Sequence, residues 1–269
     1  MLNYIISKER EDLDMNIIQR LKNIKLTTSK WTFLVLRFIV VIIMIHNIIN
    51  KNYENVFVCF LTLILFIVPY IIERKFKIDI PDFLETVILL FIFSAEILGE
   101  LNSFYTLFPG WDTILHTVNG FIMGAIGLSL IELLNNSKKT KIKLSPIFVA
   151  IVSFCFSMTI GVCWEFFEFG MDIAFEMDMQ KDYIVSEISS VTFDPNGLNN
   201  VYHIDINTLE VNGQDWIEKY GGYIDIGLID TMKDLCVNFL GAFVFSSIGY
   251  FYSKSHDNTK IKKLLIVKN

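Results

Sequence analysis

The sequence predicts an all-α membrane protein: a bundle of six transmembrane helices with a small outward-facing insert that reads as a β-hairpin. Three observations predict it. The 269 residues are 53% hydrophobic and include 24 Phe, with a mean hydropathy of +0.48, more apolar side chain than a soluble core uses. Several apolar runs approach the ~20 residues that a helix needs to cross a bilayer. The cationic residues gather at one set of run ends. The net charge of -6, with no basic stripe interleaved with aromatics, argues against nucleic acid as a partner.

In chain order, residues 1–30 mix charges with scattered Ile, Leu and Met. They lack the apolar core and small-residue cleavage site of a signal peptide. A short amphipathic helix over 12–24 lying on the membrane surface, or a flexible tail, fits that composition. The first span is expected over 31–49, with Trp31 as an interfacial anchor and His46 near the far end. The second covers 56–72 and ends in Glu73-Arg74-Lys75. The third, 83–100, follows Pro81, which suits a first helical turn. The fourth covers 112–134 and leads into a basic stretch. The fifth, 146–169, is again entered at a proline, so that spans one to five occupy 31–173. The sixth covers 229–251 and runs into a basic tail, 252–269. The four cysteines, Cys59, Cys155, Cys163 and Cys236, all fall inside apolar runs and read as buried thiols rather than a disulfide or metal framework.

Residues 174–228 form a polar insert, long enough to be functional or separately folded. Val201-Tyr202-His203-Ile204-Asp205-Ile206 alternates in the manner of a strand, and Asn212-Gly213 and Asp194-Pro195-Asn196-Gly197 read as turns. Asp205 and Asn207 do not make an EF-hand loop, because its glycine and distal glutamate are missing.

Lys and Arg number six before Trp31, three between spans two and three, four between spans four and five, and five after span six. The opposite side carries Lys51, Lys181 and Lys219, with Lys233 at the head of span six. By the positive-inside rule both termini are cytoplasmic and the insert faces outward, as expected for a bacterial plasma-membrane protein.

This topology gathers the membrane-level acids at one leaflet. Glu96 and Glu100 end span three. Asp112 and His116, four residues apart, share one face at the head of span four. Glu165, Glu168 and Asp172 follow i, i+3, i+7 near the outer end of span five. Asp230, Asp234 and Asn238 follow i, i+4, i+8 at the head of span six. Ionisable stripes inside a membrane avoid lipid and face one another or a wet cavity, so they are functional candidates by default. Gly120 and Gly124 form a GxxxG pair, and Gly241-Ala242 follows the acids of span six, which suits close helix approach.

Two chemistries account for such a cluster. Carboxylates held together repel unless a cation or shared protons compensate. One His among Asp and Glu suits a divalent metal ion, with Asp112, His116, Glu165, Glu168 and Asp234 as ligands and Glu96, Glu100, Asp172, Asp230 and Asn238 as further candidates. A bound metal could generate hydroxide or polarise a phosphoryl or carbonyl oxygen, with His116, Glu165 and Asp112 as the catalytic groups. Without metal, the same set could relay protons or bind a cation.

The blocks Trp111-Asp112-Thr113-Ile114-Leu115-His116, Trp164-Glu165-Phe166-Phe167-Glu168 and Asp230-Thr231-Met232-Lys233-Asp234-Leu235 resemble the three signatures of the YjdF-like family, bacterial inner-membrane proteins with no assigned activity. More distantly, Asp-x-x-x-His, an acidic helix, and Asp234-Leu235-Cys236-Val237-Asn238-Phe239-Leu240-Gly241-Ala242 are similar to the VanZ-like group, associated with glycopeptide resistance. The insert here is longer than that family's short connection, and no resistance role is carried over. The leading expectation is a metal-dependent hydrolase or transferase acting on a membrane lipid or envelope precursor at the outer leaflet. The alternatives are a proton- or cation-coupled transporter or binding protein, and a structural or accessory membrane protein. Spacing sets helical faces but names neither the metal, the substrate nor the oligomeric state.

Overall fold

The structure, a computed structural model, describes residues 27–135, 144–255 and 265–268. The surface helix expected over 12–24, the basic stretch after span four and most of the basic tail lie outside the described residues. The chain divides into two compact units, one ending at Asn102 and the other beginning at Ser103.

In the N-terminal unit, α1 runs Thr28–Ile49, α2 Tyr53–Leu65 and α3 Val68–Phe76. The α2–α3 break sits just before Pro69, which is tolerated at a helix start because that position has no intrahelical acceptor for an N–H. A fourth helix, α4, runs Asp82–Phe93 and passes directly into a π-helix, Ser94–Leu101. The wide turns end where the Asn102 backbone N–H (3.1 Å) and its side-chain amide (2.5 Å) both donate to the Ile97 carbonyl. Leu36, Val40, Cys59, Phe66, Leu89 and Ile97 form the core of this unit. The Ser29 amide and hydroxyl donate to Asp82 Oδ1 at 2.9 and 2.7 Å, tying the start of α1 to that of α4.

In the C-terminal unit a short helical turn, Phe104–Leu107, precedes three long helices, α5 (Trp111–Asn135), α6 (Pro146–Phe175) and α8 (Leu228–Lys254), which pack on one another. Small residues set their spacing. A Cβ added at Gly120 would run into the Asn238 carbonyl oxygen, and one at Gly241 into the Thr117 carbonyl oxygen, so α5 and α8 touch backbone to backbone. Ser157 and Ser153 of α6 donate to the carbonyls of Gly120 and Gly124 at 2.8 and 2.7 Å. The outer faces remain apolar: Phe166 is 71% exposed and Phe243 56%, as expected of helices surrounded by lipid.

Five segments among the described residues are long and apolar enough to cross a membrane: Thr28–Ile49, Tyr53–Phe76, Trp111–Leu134, Pro146–Phe175 and Leu228–Lys254. The third expected span, 83–100, is not one long α-helix, because its acidic half adopts the π form. The fifth span is longer than expected and carries Asp172 inside its last turns. The cysteine expectation is corrected as well: Cys59 is buried, but Cys155, Cys163 and Cys236 lie on exposed helix faces. An apolar run places a thiol inside a span without saying whether it faces protein or lipid.

The insert holds three short antiparallel pairs rather than one hairpin: β1 (Ile184–Val185) with β6 (Tyr223–Ile224), β2 (Glu187–Ser190) with β3 (Tyr202–Asp205), and β4 (Glu210–Val211) with β5 (Gln214–Asp215). Strand β3 is the alternating stretch seen in the sequence, paired Glu187 to Asp205 and Ser190 to Tyr202. Asn212 and Gly213 both take positive φ, 52° and 76°, which closes β4–β5 in the mirror-image turn whose twist matches that of the strands. Asp215 then caps the short helix α7, Trp216–Tyr220, by accepting from the amides of Ile217 and Glu218.

Candidate functional site

The three long helices bring their acidic ends together where the insert joins them. Gly110, with φ 85°, turns the chain into α5, so that Asp112 falls in the first turn and His116 one turn later on the same face. From α6, Glu165 and Glu168 are buried on the face toward the bundle. From α8, the stripe Asp230, Asp234 and Asn238 is buried in the same way.

His116 is the centre. Its Nε2 lies 3.5 Å from Asp112 Oδ1 and 3.9 Å from Asp234 Oδ2, while its Nδ1 lies 3.6 Å from Glu165 Oε1. One donor atom each from Asp112, His116 and Asp234 lie within 4.8 Å of one another, and the same holds for His116, Glu165 and Glu168. Four carboxylates thus surround one imidazole, whose single positive charge could balance only one of them. Such a set inside a membrane needs a cation or shared protons.

The hydrogen bonding of the four is uneven. Glu168 accepts from the Trp164 indole at 2.8 Å. Neither Glu165 oxygen has a hydrogen-bond partner although both are buried. The Thr231 hydroxyl is close to this carboxylate but does not meet it in hydrogen-bond geometry. It does accept a bond from the Gln180 side-chain amide. The indole N–H of Trp111, beside Asp112, is likewise buried and unpaired. Asp112 is the accessible member, with 27% of its side chain exposed against 4% for Asp234.

Three further sequence candidates do other work. Asp172 accepts from the amides of Met179 (2.6 Å) and Gln180 (2.9 Å), which fastens the start of the insert to the end of α6. Asp230 accepts from the Lys181 amide at 2.8 Å. Asp225, which sequence reasoning passed over, accepts from the amides of Tyr183 (2.6 Å) and Ile229 (3.1 Å) and so joins the insert to the head of α8. Asn238 is packing glue: its Oδ1 accepts from Asn119 at 3.3 Å, and a Cβ on Gly161 would collide with its amide. Glu96 and Glu100 belong to the π-helix of the N-terminal unit. The Trp164 bond to Glu168 was also missed, although its i, i+4 spacing was visible in the sequence.

No curated protein and no solved structure matches the chain. Residues 31–255 match the model of a family described as "Predicted membrane protein (DUF2238)", and the chain, with its apolar helices and its acidic ends gathered around His116, belongs to that family of membrane proteins.

Proposed function

We propose that the chain is a membrane-embedded enzyme in which Asp112, His116 and Asp234 hold a divalent cation, and that it hydrolyses or transfers part of a lipid or cell-envelope precursor at the outer leaflet. The observation that carries this reading is the spacing around His116. Separations of 3.5 and 3.9 Å from Nε2 to the two aspartates are too long for hydrogen bonds, which fall at about 2.7–3.2 Å. They are close to the edge of a coordination polyhedron: four ligands about 2.0–2.1 Å from a tetrahedral ion stand roughly 3.4 Å apart.

The second ring nitrogen supports the same assignment. A metal-bound imidazole donates its other N–H to a carboxylate or carbonyl, which fixes its tautomer and orientation. Glu165, whose buried oxygens lack a hydrogen-bond partner, faces Nδ1 at 3.6 Å, outside hydrogen-bond range but on the side where that acceptor would stand. Three protein ligands leave a position for water or substrate, as in catalytic rather than structural sites. Asp112, the most exposed of the three, would be the ligand nearest to arriving water or substrate.

Water is the better nucleophile here than a side chain. The Thr117 hydroxyl donates to the Thr113 carbonyl at 2.7 Å, and that of Thr231 is engaged by Gln180. The likeness of the motif blocks to the YjdF-like and VanZ-like proteins is in keeping with an envelope setting. A second reading, proton or cation coupling, draws on the triplet of His116, Glu165 and Glu168, where two buried carboxylates could share protons as readily as a metal.

The two readings part in one assay. Purified protein is incubated with membrane lipid extract and Mg, Mn or Zn, with and without chelator, and products are sought by mass spectrometry. The enzyme reading expects a metal-dependent product absent from H116A. Metal-loaded, folded protein that yields no product from any extract would favour cation coupling instead.

A further inference from the structure

Beside the cluster, a groove of about 470 Å³ runs between α5 and α8, lined by Thr113, Ile229, Met232, Lys233, Cys236 and Val237. Its size falls in the ~300–1,000 Å³ range of ligand-binding pockets. Its walls are apolar apart from Thr113 and one cation. Thr113 follows Asp112 in sequence and Lys233 precedes Asp234, so groove and cluster occupy neighbouring faces of the same two helices. Met232, at 53% exposure, marks the groove as open to the surroundings of the bundle, which in a membrane are lipid chains.

Lys233 sets the chemistry of the occupant. Its ammonium bonds the Tyr183 hydroxyl and stands 4.4 Å from the centre of the Tyr183 ring. Tyr183 is itself held by Asp225 through its backbone amide, so the insert fixes the lysine in place. The phenol positions the ammonium without neutralising it; among the described residues Asp230 and Asp234 act on Lys233 electrostatically, but no carboxylate lies within ion-pair distance of it. An immobilised cation at the head of a span, over an apolar groove open to lipid, is complementary to an amphiphile with an anionic head.

We infer that the groove holds an acyl chain of an anionic membrane lipid, that Lys233 takes the negative charge of its headgroup, and that this lipid class is the substrate of the neighbouring cluster. The last clause rests on the function proposed above; the binding itself does not.

The test is lipid retention by detergent-purified protein in native mass spectrometry, with dioleoylphosphatidylglycerol against dioleoylphosphatidylcholine. Chelator is present throughout, so that the outcome does not depend on a bound cation. One cation near the membrane surface contributes about 1 kcal/mol, so wild type is expected to prefer the anionic lipid roughly fivefold. K233R keeps the preference and K233Q loses it. V237W, which fills the groove and leaves the lysine, lowers retention of both lipids. Equal retention by wild type, a preference surviving in folded K233Q, or unchanged retention by V237W would overturn the inference. Failure of metal binding elsewhere would leave it standing as a lipid site without the chemistry.

Discussion

His116 Nδ1 stands 3.6 Å from Glu165 Oε1, across the contact between α5 and α6, and neither oxygen of that carboxylate has a hydrogen-bond partner. In the proposed centre Glu165 therefore orients the ring rather than ligating the ion. E165Q keeps the shape and removes the charge. It is expected to weaken metal affinity by about 10–100-fold, the usual effect of losing such a partner. H116A should abolish binding. Competition titration with a fluorescent chelator separates the two; equal loss in both variants would make Glu165 a ligand in its own right.

Gly120 and Gly241 let α5 and α8 meet backbone to backbone. G120A and G241A each force the helices apart at the level just below the cluster. Overpacking of this kind costs about 1–3 kcal/mol, which should appear as a lower unfolding temperature in detergent. G170A, where an added Cβ meets nothing within 4 Å, is the control and should unfold as wild type does.

Asp172 fastens the insert by accepting two backbone amides. D172A leaves both amides without that acceptor, a loss of roughly 1–3 kcal/mol for each that stays buried. Hydrogen exchange at Met179 and Gln180 should rise while metal content stays unchanged. A D172A protein that loses its metal would return Asp172 to the candidate ligands.

In the insert, the Asn196 amide, then the Asn200 backbone and side chain, hold the Asp194 carboxyl below the usual aspartate value of 3.8. Because the folded value is the lower one, this tie contributes fully above the unfolded value and is lost as pH falls through the folded one. Hydrogen exchange over 194–200, corrected for its intrinsic rate, should be constant near neutral pH and rise only below about pH 4. D194N should remove that rise. Loosening that begins at higher pH would contradict this sign.

The gathering of these side chains at one end was largely legible because helical spacing is a strong constraint. Asp112 and His116 at i, i+4, Glu165 and Glu168 at i, i+3, and Asp230 and Asp234 at i, i+4 each had to share a face, and topology brought three such faces to one end. What the sequence could not separate was an acid facing the cluster from one facing a returning backbone. Asp172 continues the Glu165 stripe, yet it is claimed by Met179 and Gln180, partners fixed by how the chain reverses. The Asn212-Gly213 turn was legible from dipeptide chemistry alone. The pairing of β1 with β6 was not, since it joins two-residue segments far apart in the chain, and the alternation of β3 did not name β2 as its partner. The π-helix at Ser94–Leu101 is less apolar than the α-helix before it, but its glutamates mark polarity and not the wider turns.

The proposed centre places one cation at His116 between α5 and α8, with Glu165 of α6 orienting the ring. Its most direct test is the metal content of detergent-purified protein by inductively coupled plasma mass spectrometry, comparing wild type with H116A and D234N. Near-stoichiometric divalent metal is expected in wild type and little in either variant, with both variants folded by circular dichroism. No metal in wild type, even after incubation with Mg, Mn, Zn and Fe, would contradict it and leave the four carboxylates to be balanced by protons.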